Sequence, residues 1–310
     1  MSFFRTPRQA YRPKPHDLWS AALFFAFALF SLLWPDTGSI ALGDRSLPRG
    51  YLVAAILATS GVLALLLGGR DFSASPRPLR FVRCFYPQIF FGPLFTESII
   101  LSGRAMGGRV YDPFFYRLDG LIFGHQPSMD FSAAFGHAPW MNEIMFGSYF
   151  SFYLVMALTP WIPWFRGDEA EGEREVSILA GFMLVVYVFY VFFRVVGPKH
   201  YFPNLDNYGV MQGGFFTHLE GGILSAAITT GAAFPSSHVA VSLMMTSFVA
   251  RTARRLLPLY ILDACLIALA TIYLHAHWAV DVAGGMVAAL LLVPLFARLH
   301  RPIRDRGLAL

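Results

Sequence analysis

Long apolar runs separated by short polar segments are the main pattern in this chain of 310 residues. Eight runs are long enough, or nearly so, for an α-helix to cross the hydrocarbon core of a bilayer, which takes about 20 residues. They cover 18–34, 51–68, 81–101, 143–164, 176–196, 236–251, 257–274 and 278–298. The third run is interrupted by Pro87, Gly92 and Pro93 and carries Glu97, which weakens its apolar signal. The pattern predicts an all-α, polytopic membrane bundle of about eight transmembrane helices.

The polar segments divide the chain into three predicted parts. Residues 1–78 hold a basic N-terminal segment and two extra transmembrane helices, 79–299 hold a six-helix core, and 300–310 form a basic cytoplasmic tail. Within the core, 102–140 mix glycine, proline, charged and aromatic residues, which is typical of short amphipathic helices in the membrane interface. Residues 197–234 have the composition of a polar, glycine-rich loop.

Composition and charge support a membrane protein and indicate its orientation. Hydrophobic residues make up 56% of the chain and charged residues 14%, whereas a soluble domain has about 25% charged residues. When each Lys and Arg is assigned to the nearer end of its span, 17 of the 24 fall on the side of the termini. Because cytoplasmic loops are enriched in these residues, the termini are predicted to be cytoplasmic, with the 197–235 loop, His238 and His277 on the opposite face. The net charge of +5 reflects this bias and does not indicate nucleic acid binding.

Two histidines near the ends of predicted helices carry the candidate chemistry. His277 precedes Asp281 by four residues, so a helix that begins near His277 places the carboxylate on the same face as the imidazole. A carboxylate there can hold one ring N–H and leave the other nitrogen directed at a substrate. His238 follows Pro235 and two serines, a sequence typical of a helix start where hydroxyl and backbone N–H groups can meet an anion. His275 and His277 lie two residues apart and do not face each other on a helix, so this pair does not indicate a metal site.

These two segments resemble the type 2 phosphatidate phosphatase superfamily. Its members share a P-S-G-H element followed by an S-R-x5-H-x3-D element. In this chain the first element reads Pro235-Ser236-Ser237-His238, with Ser237 in place of the glycine. The second element carries Thr271 where the phosphatases carry arginine.

The missing arginine is also a feature of lipid phosphotransferases in that superfamily, such as inositol phosphorylceramide and sphingomyelin synthases. The spacing of Thr271, His277 and Asp281 is similar to the inositol phosphorylceramide synthase pattern, and the resemblance covers roughly residues 110–295. It implies a membrane enzyme with three catalytic residues. His277 would attack phosphorus, Asp281 would orient it, and His238 would protonate the departing alkoxide and later deprotonate the acceptor.

The residues that would bind the phosphoryl oxygens are less well specified. The phosphatases carry a K-x6-R-P element upstream, but here Asp206 stands where the arginine would fall after Lys199, so either Lys199 or Arg194 could supply the cation. The candidate substrate-binding residues are Lys199, Arg194, His200, Ser236 and Ser237. A site with fewer positive charges favours a phosphodiester, which carries one negative charge, over a monoester, which carries up to two.

The predicted function is therefore transfer of a phospholipid headgroup phosphate to a lipid alcohol through a phosphohistidine, with no metal or organic cofactor. The predicted partners are a phospholipid donor, a lipid alcohol acceptor and the surrounding membrane lipids, and the sequence identifies no protein partner. Two alternatives remain open. One is a lipid phosphatase in which water accepts the phosphoryl group, and the other is a non-catalytic transporter or scaffold with the same fold.

Overall fold

The chain folds as a helical bundle. The computed structural model describes residues 13–36, 38–42, 45–202, 205, 211–226 and 230–300. The α-helices are α1 (Pro15–Leu33), α2 (Arg49–Gly68), α3 (Arg77–Ala105), α4 (Asp112–Phe123), α5 (Pro127–Phe135), α6 (Pro139–Leu158), α7 (Trp161–Phe165), α8 (Glu169–Phe192), α9 (Pro198–Tyr201), α10 (Phe215–Ala226), α11 (Ser237–Thr252), α12 (Leu257–Tyr273) and α13 (Ala279–Leu299). A 3-10 turn, Arg254–Leu256, joins α11 to α12, and an antiparallel hairpin of β1 (Ser39–Leu42) and β2 (Arg45–Pro48) joins α1 to α2. The predicted helical bundle is confirmed, and the hairpin is an element that the apolar pattern did not predict.

Five of the described helical segments are long and apolar enough to cross a membrane. They are Pro15–Leu33, Arg49–Gly68, Glu169–Phe192, Arg254–Tyr273 and Ala279–Leu299. The other three predicted runs are also helical, as α3, α6 and α11, but they do not meet the same combination of length and apolarity. For α11 the reason is length, since it has only 16 residues. A membrane-spanning bundle is therefore supported, and the count of eight spans stays a prediction.

The segments between the spans contain more helix than their composition suggests. The short amphipathic helices predicted within 102–140 are present as α4 and α5. The predicted run 143–164 stops at Leu158, because Pro160 cannot continue the α6 hydrogen-bond ladder. The predicted glycine-rich loop contains α9 and α10, whereas Asp206 within it lies outside the described residues.

The core of the bundle forms around α8 and α11. Helix α8 packs against α1, α3 and α13, while α11 packs against α6, α12 and α13. Side chains with almost no exposed surface meet between these helices, among them Phe182 and Tyr190 of α8 and Met244 and Phe248 of α11. The N-terminal helix α1 contributes Phe27 to the same core, so it is an integral part of the bundle.

Two close backbone approaches bring the candidate residues to the same end of the bundle. A Cβ atom on Gly285 of α13 would lie 2.5 Å from the carbonyl oxygen of Ser236, so only glycine allows α13 to pack this closely against the start of α11. Gly197 has φ +81°, and a Cβ there would lie 2.4 Å from the carbonyl oxygen of Ala276. The turn before Lys199 and the segment that holds His277 are therefore in direct contact.

Candidate active site

The structure brings the two candidate histidines together. His238 is in the first turn of α11, and His277 lies in the segment between α12 and α13. Their ring centroids are 5.7 Å apart, with the ring planes at 68°. The separation is small enough for both imidazoles to contact a single phosphate group.

The tautomer of His277 is determined by a backbone carbonyl group. Its Nδ1 atom lies 2.6 Å from the carbonyl oxygen of Ala233, which can only accept, so Nδ1 carries the proton. Nε2 then keeps its lone pair and lies 3.3 Å from the hydroxyl oxygen of Ser236. Burial lowers the pKa of His277 to about 4, against the opposing effect of the Ala233 bond, so the ring is neutral at pH 7. A neutral, oriented imidazole is the form that can act as a nucleophile.

Asp281 lies beside His277 but does not form the predicted hydrogen bond. Helix α13 begins at Ala279, so His277 precedes the helix instead of lying one turn from Asp281 within it. The Oδ2 atom of Asp281 accepts the backbone N–H of Trp278 at 2.8 Å and is 3.6 Å from Nδ1 of His277, longer than a hydrogen bond. The hydrogen-bonding role predicted for Asp281 is thus filled by Ala233, while the Asp281 carboxylate remains a close electrostatic neighbour.

His238 is buried between aromatic rings at the predicted helix start. Ser236 is the N-cap of α11, and its hydroxyl oxygen accepts the N–H of Val239 at 3.4 Å, which confirms the helix start. The ring of His238 packs against Tyr149 and Phe152, with centroids at 4.4 Å and 4.2 Å. Neither ring nitrogen of His238 has a hydrogen-bond partner within the described part of the chain. Buried polar atoms in proteins are rarely left without partners, so this ring is suited to a bound ligand.

Both histidines line a cavity of about 260 Å³. Its polar lining includes Lys199, His200, Thr230, Ser237, His238 and His277, together with three tyrosines. The remaining lining is mostly apolar and includes Phe91, Phe95, Phe152, Met156 and Met183. Ligand sites of this kind combine apolar walls with a few polar groups that fix orientation, and this composition suits a lipid that carries a phosphate.

Lys199, and not Arg194, is the basic residue in this cavity. Lys199 is buried, and its Nζ atom donates to the carbonyl oxygen of Leu224 at 2.6 Å. Among the described lining residues, it is the one with a permanent positive charge. Arg194 lies behind the lining, with its guanidinium 3.3 Å from the carbonyl and hydroxyl oxygens of Thr230. Thr271 is buried and donates to the Ala268 carbonyl, so it adds no charge where the phosphatases carry arginine.

Of the other predicted substrate-binding residues, two line the cavity and one lies beside His277. Ser237 is buried and lines the cavity, and His200 lines the cavity while remaining exposed. Ser236 contacts Nε2 of His277. The structure therefore groups Lys199, His200, Ser236 and Ser237 with the two histidines.

Two buried carboxylates beside the site were missed as functional residues. Asp112 and Asp119 of α4 accept hydrogen bonds from backbone groups on either side of the site. Burial raises the pKa of Asp119, and the N–H groups of Ala279 and Val280 oppose this shift by stabilising the ionised form. Their signal in the sequence is two aspartates seven residues apart, which share one helix face. Ala233 acts through its carbonyl oxygen and has no such signal.

The described residues contain no group of three or more His, Cys, Asp and Glu side chains that could hold a metal ion. The H-x-H pair is split by the backbone, because His275 has a positive φ of 57° and its Nε2 atom lies 2.7 Å from the hydroxyl oxygen of Ser132. His275 therefore points to α5, whereas His277 lines the cavity.

Comparison with protein families shows that the region around this site matches PAP2, the type 2 phosphatidate phosphatase superfamily. Residues 117–295, more than half of the chain, match the family model of the PAP2 superfamily. Comparisons with curated proteins and with solved structures each gave no match. The matched region contains both histidines, Lys199 and most of the cavity lining. The chain therefore belongs to the PAP2 superfamily, whose members are membrane lipid phosphatases and phosphotransferases.

Proposed function

We propose that this protein transfers a phospholipid headgroup phosphate to a lipid alcohol, in the manner of inositol phosphorylceramide synthases. The observation that carries the proposal is the convergence of His238, His277 and Lys199 on one cavity whose other walls are mostly apolar. An apolar cavity can hold a lipid chain, while two imidazoles and one ammonium can act on its phosphate.

In the first step, His277 is the nucleophile. Its Nε2 lone pair attacks phosphorus, an N–P bond forms, and the P–O bond to the diacylglycerol breaks. The departing alkoxide takes a proton from His238, whose imidazolium form is stabilised by the negative charge of the bound phosphodiester. The products are diacylglycerol and a phosphohistidine that still carries the headgroup.

In the second step, the acceptor alcohol completes the transfer. Neutral His238 removes the hydroxyl proton while the alcohol oxygen attacks phosphorus, and the N–P bond breaks. His277 is regenerated as a neutral imidazole, and His238 is again an imidazolium. Lys199 and the hydroxyls of Ser236 and Ser237 stabilise the charge that develops on the phosphoryl oxygens. Asp281, at 3.6 Å, stabilises the positive charge that forms on His277 during attack.

The charge of the site supports a phosphodiester substrate. Thr271 supplies no cation, and Arg194 is engaged with Thr230 outside the cavity lining. The described lining thus has Lys199 as its one permanent cation, which matches the single negative charge of a phosphodiester better than the double charge of a monoester.

Product identity separates the transferase from a phosphatase. Purified protein in mixed micelles would receive a phospholipid labelled in its phosphate together with a lipid alcohol, and phosphatidic acid in a parallel reaction. We expect the label to move to the lipid alcohol, with little inorganic phosphate released from phosphatidic acid. Fast phosphate release without labelled lipid would establish the phosphatase instead. If lipid conversion is the same with the His277→Ala variant as with the unmodified protein, this chain is not its catalyst. That result would favour the transporter or scaffold.

We also propose that the site lies on the non-cytoplasmic face. The proposal is supported by the excess of Lys and Arg on the side of the termini. After replacement of Cys84 and Cys265 by serine, single cysteines would be introduced at Asp168 and at His125. A membrane-impermeant maleimide added to intact cells should label the second and not the first. The reverse pattern would contradict the orientation.

A further inference from the structure

Helix α4 carries two carboxylates on the face that it turns towards the bundle. Asp112 and Asp119 are seven residues apart, which is about two helical turns, and both are buried. The opposite face of α4 is apolar and exposed, with Phe114, Leu121 and Ile122 each more than half exposed. The helix therefore has its two carboxylates inside and apolar side chains outside beside the exposed Arg117, an arrangement expected for a helix in the membrane interface.

Asp112 binds the turn that leads into Lys199. Its Oδ2 atom accepts the N–H of Val196 at 2.9 Å, and its Oδ1 atom accepts the N–H of Gly197 at 2.8 Å. Oδ1 also accepts the indole N–H of Trp278 at 3.0 Å. Trp278 directly follows His277, so this one carboxylate links the Lys199 turn to the His277 segment.

Asp119 binds the start of α13, on the C-terminal side of His277. Its two oxygens accept the N–H groups of Ala279 at 2.8 Å and Val280 at 3.0 Å. These are the first N–H groups of α13, which have no acceptor within their own helix. A carboxylate at this end also interacts favourably with the helix dipole, so Asp119 fixes the point where α13 begins.

All five hydrogen bonds go to two short segments that adjoin Lys199 and His277. Val196 and Gly197 precede Lys199, and Trp278, Ala279 and Val280 follow His277. Gly197 is already in close contact with Ala276, so the two bound segments pack against each other. Carboxylates that served only to anchor α4 could bind any part of the bundle, whereas these two bind the segments that carry the candidate nucleophile and the candidate phosphate-binding cation.

We propose that Asp112 and Asp119 are positioning residues that hold the His277 segment and the Lys199 turn at the separation required for phosphoryl transfer. The proposal rests on the proposed function of His277 and Lys199. Neither aspartate contacts the substrate. Their effect is on geometry, and a displacement of about 1 Å can reduce a rate by about 100-fold.

The test uses Asp119→Asn and Asp112→Asn in the full-length protein. The amide keeps the shape of the side chain but replaces one acceptor oxygen with a donor group, which cannot accept a backbone N–H. Asp168→Asn is the matched control, since Asp168 also caps a helix, α8, through the N–H of Glu171, in a loop away from the cavity. Trp278→Phe removes the indole donor to Asp112 together with part of a buried ring, and it replaces Asp112→Asn if that variant does not fold.

Two readouts are compared for each folded variant. Hydrogen–deuterium exchange of peptides covering 195–199 and 277–281 reports how well the backbone N–H groups of the two segments are protected. It does not depend on catalytic turnover. Steady-state kinetics with a phospholipid donor reports catalysis. We expect faster exchange in these peptides, a kcat lowered by about tenfold or more, and a KM for the donor within about threefold of the original, because orientation affects the transition state more than binding. Asp168→Asn should change neither quantity.

The possible failures are distinguishable. Faster exchange with an unchanged kcat would make the two aspartates purely structural and overturn the proposal. Unchanged exchange would overturn it as well, and would leave the proposed function intact if the unmodified protein transfers lipid phosphate. If the unmodified protein shows no lipid conversion, the proposed function fails, while the exchange data still report whether the carboxylates hold the two segments.

Discussion

The Nδ1 atom of His277 lies 2.6 Å from the carbonyl oxygen of Ala233, in the segment just before α11. This bond places the ring proton on the side away from Ser236 and leaves Nε2 available as a nucleophile. It also links the two motif elements, since Ala233 lies two residues before Pro235 of the first element and His277 belongs to the second. The reactivity of the site therefore depends on a main-chain group as well as on the motif side chains.

The pH dependence of activity should reflect the burial of His277. Its pKa is lowered to about 4, so protonation of Nε2 removes the nucleophile only in strongly acidic solution. We expect loss of the nucleophile to lower kcat/KM, which reports the free enzyme, as the pH drops through about 4. If His277 had the usual histidine pKa of about 6.5, the enzyme would lose activity near that pH.

The structural integrity of the protein is the control for this profile. Circular dichroism at each pH would separate loss of activity from unfolding. An acid limb centred near pH 6.5 in folded protein would show that the His277 ring is accessible to water and is not buried.

Replacement of Lys199 should weaken action on the donor lipid. The Lys199→Gln variant loses a charge-assisted hydrogen bond to the phosphate, a type of interaction that contributes about 1.5–3 kcal/mol. We expect kcat/KM for the phospholipid to fall by about 10- to 100-fold, with partial recovery in Lys199→Arg, which keeps the charge. Arg117→Gln removes an exposed cation from α4 and should have little effect. Equal losses in Lys199→Gln and Arg117→Gln would indicate a general effect of charge at the membrane surface.

The close contact between α11 and α13 should not tolerate a methyl group. The Gly285→Ala variant places a carbon 2.5 Å from the Ser236 carbonyl oxygen, so the helices must separate. Overpacking of this kind costs about 1–3 kcal/mol. We expect a lower thermal unfolding midpoint in detergent, together with reduced lipid transfer, because Ser236 and His277 are displaced from each other.

Gly103→Ala is the matched control for Gly285→Ala. Gly103 is in α3, and a Cβ atom there meets no other atom within 4 Å. Because alanine favours a helix by about 1 kcal/mol over glycine, this variant should be as stable as the original or more stable. If both variants unfold at the original temperature, the packing of α11 against α13 is looser than the structure indicates.

The positions of the helices could be predicted from the sequence for a physical reason. The apolar runs reflect burial in the bundle and the bilayer, and the observed helices lie close to the predicted runs. The positive-inside rule placed His238 and His277 on one face, and their rings are 5.7 Å apart. The spacing between His277 and Asp281 was less informative, because its meaning depends on where α13 begins. Asp281 was assigned a bond to His277, but α13 begins two residues after His277.

The features that the sequence did not predict depend on contacts between distant segments. The carbonyl group of Ala233, the engagement of Arg194 with Thr230 and the hold of Asp119 on α13 each join residues far apart in the chain. Helix α10 was missed because its 12 residues lie in a segment that is rich in glycine and polar groups. It is held by Glu143 of α6, which accepts the N–H groups of Gly214, Phe216 and Thr217.

Detection of the phosphoryl-enzyme is the most direct test of catalysis through His277. Purified protein would be mixed with a phospholipid labelled in its phosphate, quenched in alkali, which preserves phosphohistidine, and digested for mass spectrometry. We expect a headgroup phosphate on His277, absent from the His277→Ala variant and discharged when a lipid alcohol is added. Labelled product that forms without any label on His277, or with the label on another residue, would contradict it.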